Sequence, residues 1–294
     1  MLEDLKESLT LKNELIIKTI SEFVGTTVYT IMFSASRAQF VLGGDTDYDT
    51  LQLTRGIAYM MALYATGRSG EAQCNSVFTF ILTVTGHLRF TEMICFILAQ
   101  LLAGYCGTWM VYTIYKEAIN KYDGGTRQSY DTDKSTGFVF VSLSYDTSEV
   151  EPNVLLDYTL SYAIMTAIVL AEMFHRSSAL SGLSNSSGGE TRPLVLGLTM
   201  VLVGFAFGYS YNCPENPAVE LGARLAMTPY WGSLAFLGDE ILIILSASYL
   251  GGIVGWGSYS IFVGNHRQSQ FEEAISGWFN SFTDWFFGFF EKCC

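Results

Sequence analysis

The stretch CPENPAVELGARLA, Cys213 to Ala226, decides how the chain is read. Asn216 is a good helix N-cap, and Pro217 suits the first helical position. The residues from Val219 to Met227 therefore predict a helix of two or three turns. That is too short to cross hydrocarbon about 30 Å thick, yet the flanking segments are strongly apolar. A half-helix at membrane depth has to line a protected cavity. Its capped N-terminus sets N–H donors and a partial positive charge inside the membrane.

The same device occurs earlier. Asn75 opens NSVFTFILTVTG, a second short apolar helix, after a glycine-containing turn at Gly67 to Gly70. Asn75 and Asn216 lie 141 positions apart, each between longer apolar segments. Two half-helices at equivalent places in two halves of a chain predict an inverted repeat around a pore.

Composition agrees. Half of the 294 residues are hydrophobic and only 15% are charged, against about 25% charged in a soluble domain. The first 14 residues contain Glu3, Asp4, Lys6, Glu7 and Lys12, which does not read as a secretory leader. The net charge of −12 argues against nucleic-acid binding. The six cysteines show no paired spacing, so neither a disulfide framework nor a metal site is expected, and no cofactor motif is present.

In sequence order the motifs resemble those of the aquaporin, or major intrinsic protein, family. Glu22-Phe23-Val24-Gly25-Thr26 is similar to the first-helix EFxGT. Gly67 to Thr79 resembles the first pore loop, and Ala99-Gln100-Leu101-Leu102-Ala103-Gly104 the third-helix AQxxG. Asp157-Tyr158-Thr159-Leu160-Ser161 resembles the fourth-helix ExxxT. Gly197 precedes Asn216 by the usual interval, and Asn216-Pro217-Ala218 closes the match. The resemblance implies an all-α integral membrane protein with six transmembrane helices and two re-entrant half-helices. It also implies a homotetramer in the lipid bilayer with a pore in each subunit and cytoplasmic termini.

Five parts are expected. Residues 1–14 form an amphipathic lead-in. Residues 15–115 form the first repeat, with helices near 15–34, 53–66 and 91–115 and the half-helix from Asn75 to about Val84. Residues 116–152 form a long polar connector, which either caps the pore mouth or stays solvated. Residues 153–264 form the second repeat, with helices near 153–174, 194–209 and 239–262. Residues 265–294 form an aromatic amphipathic tail ending in Cys293-Cys294, a weak lipidation signal.

Asn75, Ser76, Val77, Asn216, Pro217 and Ala218 are the expected pore midplane. The two asparagine amides would orient an uncharged solute, while the positive helix ends repel cations. Ser76 and Val77 depart from the family, which has Pro and Ala there. Ser76 lacks proline's fixed φ, and Val77 is bulkier where the two loops should touch. Glu22 and its repeat mate Asp157 are expected to be buried carboxylates that accept hydrogen bonds from the pore loops.

The outer constriction departs further. Val219 stands where the family has Arg. Aligned from the same motifs, Gly204, Cys213 and Arg55 supply the other walls; Gly204, Cys213 and Val219 are small, and Arg55 is the strong cationic donor. Arg55 either enters the pore and replaces the missing arginine or snorkels to the interface. Glu220 and Arg224 form an i,i+4 pair resembling that of the glycerol-conducting branch, and Gly204 fits the same branch.

The expected function is passive conduction of water or small neutral solutes such as glycerol. A structural junction protein with a closed pore and an ammonia- or ion-permeable channel stay open as alternatives. An enzyme is not expected, because His87, His175 and His266 lie near span ends and no nucleophile–base set is apparent.

Overall fold

The computed structural model describes residues 12–43, 47–70, 72–127, 134–142, 152–177, 188–207, 216–232 and 240–264. The lead-in up to residue 11, the tail with Cys293 and Cys294, residues 178–187 and Cys213 lie outside the described residues.

Helix α1, Glu14–Ala38, starts where the Asn13 side chain accepts from the Leu15 and Ile16 N–H groups, and a π-helical turn, Gln39–Gly43, continues it. Helix α2, Tyr48–Gly70, follows after a short gap. Gly67 to Gly70 therefore belong to a helix and not to a turn. The half-helix α3, Ser76–Val84, begins at the Asn75 cap. Helix α4, Phe90–Asp123, has 34 residues and runs past the expected end near 115, because Lys116 to Asp123 keep good helix formers until Gly124 takes φ 65°. Helices α5, Pro152–Ser177, and α6, Gly188–Phe207, open the second repeat. The second half-helix, α7, Pro217–Trp231, has 15 residues, more than the expected two or three turns. Helix α8, Glu240–Tyr259, ends the fold with a π-helical turn, Ser260–Gly264.

At 1.5 Å per residue α3 is about 14 Å long and α7 about 22 Å. Neither crosses the membrane alone, but end to end they do. The segments α1, α4, α5 and α8 are long and apolar enough to span, and Arg192–Phe207 of α6 is a shorter apolar stretch. Helix α2 falls below that standard because it carries Gln52 and Arg55, both wholly buried inside the bundle.

Packing follows the inverted repeat. Helix α1 packs on α2 and α4, as α5 packs on α6 and α8, and the repeat mates α2 and α6 face each other. Each half-helix leans on the other repeat, α3 on α8 and α7 on α4. The crossings depend on missing side chains. A Cβ on Gly197 would lie 2.6 Å from Met60 Cβ and 2.8 Å from the Gly56 carbonyl. A Cβ on Gly104 would lie 2.7 Å from the Val219 carbonyl, and one on Gly222 would strike the Leu101 carbonyl.

Gly197→Leu should wedge α2 from α6. The expected loss exceeds about 3 kcal/mol, seen as a lower melting temperature or lost monodispersity in detergent. A variant as stable as the parent would contradict this crossing.

Candidate pore

The floor of the site is a chain of buried polar groups. Glu22 in α1 is 1% exposed. Its carboxylate accepts from the Gln73 N–H at 2.5 Å, the Cys74 N–H at 2.9 Å and Gln100 Nε2 at 2.9 Å. A carboxylate in hydrocarbon is expensive, and these donors, aimed from the loop before α3, are what make it tolerable. Gln73 is held in turn: its carbonyl accepts from Tyr59 Oη and its Oε1 from Arg192 Nη2, both at 2.6 Å. Cys74 has φ 49°, the bend that turns the loop into α3.

Asp157 differs from its repeat mate. It is half-buried rather than buried, on a helical turn where Leu155 and Leu156 face outward. The loop residues that would match Gln73 and Cys74 lie outside the described residues.

Asn75 and Asn216 both cap. Asn75 Oδ1 accepts from the Val77 N–H at 3.0 Å, and Asn216 Oδ1 from the Ala218 N–H at 3.0 Å. Asn216 Oδ1 also accepts from the Ser76 N–H at 3.1 Å, so the two half-helix ends are tied directly. Proline at position 76 would have no N–H to give. Val77 is fully buried, and its extra bulk meets Gly252 of α8, whose added Cβ would lie 2.6 Å from Val77 Cγ1. The two departures from the expected motif thus have local compensations.

Arg55 of α2 is fully buried, which excludes snorkelling to the interface. Its Nη1 lies 3.5 Å from Gln52 Oε1 and from the Met200 carbonyl, and Nη2 lies 3.6 Å from Met200 Sδ. The wall at Gly204 is not vacant. Gln52 Oε1 occupies the space that a Gly204 Cβ would need, and Tyr48 Oη donates to the Gly204 carbonyl at 3.2 Å. The Val219 backbone rests on Gly104. Gln52 and Met200 were absent from the sequence reading, although Tyr48, Gln52 and Arg55 share one helical face.

Glu220 and Arg224 do form their pair, with Nε to Oε1 at 2.7 Å and both side chains fully buried. They serve the connector. The Glu220 carboxylate accepts from the Ser142 N–H at 3.1 Å, and Arg224 Nη2 donates to the Ser142 carbonyl at 2.8 Å. Arg37 Nη2 reaches Ser142 Oγ at 3.5 Å, with its guanidinium over the Phe33 and Phe138 rings. Residues 139–142 are buried, and Phe140 packs edge-on against Trp231 of α7 and Tyr112 of α4. This part of the connector is an inserted wedge and not a solvated loop. Its start is pinned by Arg127, which donates to both Asp123 oxygens at 3.0 and 2.9 Å.

Residues 10–259 match the profile of the family described as Major intrinsic protein. The chain belongs to the major intrinsic protein family. Within this family it is similar to human aquaporin-10, at 26% identity over 260 residues, covering 87% of this chain and 83% of that protein. It is 24% identical over 259 residues to the glycerol uptake facilitator protein of Pseudomonas aeruginosa, covering 85% and 90%. The X-ray structure of the aquaglyceroporin from Plasmodium falciparum superposes with a TM-score of 0.68 at 18% identity, covering 85% of this chain and 98% of that one. The family's fold is six spans with two re-entrant segments, and its members are passive channels, so the chain is a membrane channel and not an enzyme.

Glu220→Ala would leave Arg224 charged and buried. The expected loss is about 3–5 kcal/mol, whereas replacing both residues by methionine should recover only part of it, because the buried Ser142 N–H and carbonyl lose their partners. Thermal melts of the three proteins in detergent check this; equal melting temperatures for parent and single variant would contradict it.

Proposed function

We propose that the protein passes water and small neutral solutes, glycerol among them, down their gradients through the lumen beside the two half-helices. The observation that carries this reading is the direct contact between the half-helix ends, Ser76 N–H to Asn216 Oδ1 at 3.1 Å. Two N-termini held against each other at the midplane set their partial positive charges against a cation, and the Asn75 amide is the donor offered to a hydroxyl. The relatives named for glycerol uptake support glycerol as a permeant, and so does the buried Glu220–Arg224 pair.

Arg55 takes the filter role in this proposal. With Val219 in the usual arginine position, the cationic donor comes from α2 on another wall. A monovalent cation passing about 6 Å from the guanidinium would be repelled by about 3 kcal/mol at an effective dielectric of about 20, roughly a hundredfold in population. Gly204, Val219 and Cys213 complete the proposed filter. The homotetramer and the cytoplasmic placement of both termini belong to the same proposal.

A second reading, a closed channel with a structural role, draws on the bulk of the interior: Tyr29, Phe33, Tyr59 and Tyr162 are all buried there. Stopped-flow light scattering on proteoliposomes separates the two. Water and glycerol flux well above empty vesicles is expected, and no flux would favour the closed form. In planar bilayers Arg55→Ala should raise potassium conductance at least about tenfold; unchanged conductance would remove Arg55 from the filter.

A further inference from the structure

We propose that Arg192 is a positioning residue of this channel: from α6 it holds the Gln73 side chain and, through Gln73, sets where the first half-helix starts. The inference rests on the channel reading above.

Gln73 lies two residues ahead of Asn75, and three different helices take its polar groups. Its N–H donates to the Glu22 carboxylate of α1 at 2.5 Å. Its carbonyl accepts from Tyr59 Oη of α2, and its Oε1 from Arg192 Nη2 of α6, both at 2.6 Å. The ties to α1 and α2 come from the first repeat and grip the backbone. The tie to α6 comes from the second repeat and grips the side chain. A guanidinium only donates, so it fixes the Gln73 amide with its oxygen towards α6. A hydrogen bond from a charged donor is roughly twice as strong as one between neutral groups. Arg192 is 7% exposed, and Glu172 of α5 lies 4.0 Å from its Nε, so the cation is buried beside an acid.

Repeat symmetry singles this residue out. An offset of 141 positions relates Asn75 to Asn216, and the same offset relates Gly56 to Gly197 at the α2–α6 crossing. It carries Arg192 onto Leu51, which is buried and apolar. The arginine is therefore an addition to the repeated framework. It stands on the side of the more deeply buried acid: Glu22 is 1% exposed, whereas Asp157 is half-buried. The Arg192 charge lies within electrostatic reach of Glu22, an attraction that favours the carboxylate where it is.

From Gln73 the chain has one residue, Cys74 at φ 49°, in which to turn before Asn75 caps α3. A shift of Gln73 is therefore passed to Asn75 and to the Ser76 N–H that meets Asn216 Oδ1. Cutting the tie to α6 leaves Tyr59 and Glu22 on the loop backbone, so the fold survives while the half-helix start loses its fixed place.

The test is flux per channel through reconstituted full-length protein, with melting temperatures in detergent alongside. Parent proteoliposomes are measured first; absence of both water and glycerol flux would overturn the channel reading itself, whatever Arg192 does. In Arg192→Met both fluxes should fall about fivefold, and in Arg192→Lys, still a cationic donor, at least half of the parent flux should return. Gln73→Met removes the acceptor but keeps the backbone bonds, and should match Arg192→Met. The double variant should conduct no worse than either single one. Parent-like flux in the methionine variants, even with a lowered melting temperature, would make the contact merely structural and overturn the proposal. So would a lysine variant as impaired as the methionine one, or losses that multiply in the double variant. The Gln73→Met arm decides alone if Arg192→Met does not fold.

Discussion

The Asn216 carboxamide holds the start of one half-helix against the start of the other, and the centre of the molecule depends on that bond set. Through Ser76 and Cys74 it reaches the opposite loop, and through Gln100 it reaches Glu22. Glu22 is tolerable in the bilayer only because Gln73, Cys74 and Gln100 donate to it. The same loop is tied by Tyr59 and Arg192. Buried polar groups of this kind specify one geometry because every alternative leaves a donor or acceptor unpaired.

Around that centre the protein solves the exposure of half-helix backbone by packing each half-helix on the other repeat. Glycines at 104, 222 and 252 let α4 and α8 come close enough to do so. The outer side is closed differently. A buried ion pair on α7 grips Ser142, and aromatic rings from α4, α7 and the connector pack around it. An ion pair fully removed from water contributes little net stability beyond its hydrogen bonds, but it fixes position, since either charge alone would be costly. Its role here is to hold the connector in place at Ser142.

Much of this was legible in the sequence because caps and half-helix lengths are local properties. Asn75, Asn216-Pro217, Glu22 and the Glu220–Arg224 spacing each carry their own physical reason. What escaped depended on contacts between distant segments. Burial of residues 139–142 could not be read from a polar connector, because its partners are Arg37 on α1 and Glu220 and Arg224 on α7. Gly204 read as a small wall, whereas Gln52 fills the space beside it. Val77 read as extra bulk where the loops touch, and Gly252 makes room for it. Asp157 read as a copy of Glu22, but repeat symmetry does not guarantee equal burial.

The most direct test of this account is a cryo-electron-microscopy map of the protein in lipid nanodiscs that resolves ordered water in the lumen. The account predicts a continuous file of water past the two half-helix starts, with Asn216 Oδ1 held by the Ser76 and Ala218 N–H groups. A lumen without ordered water, or half-helix starts drawn apart with this contact broken, would contradict it.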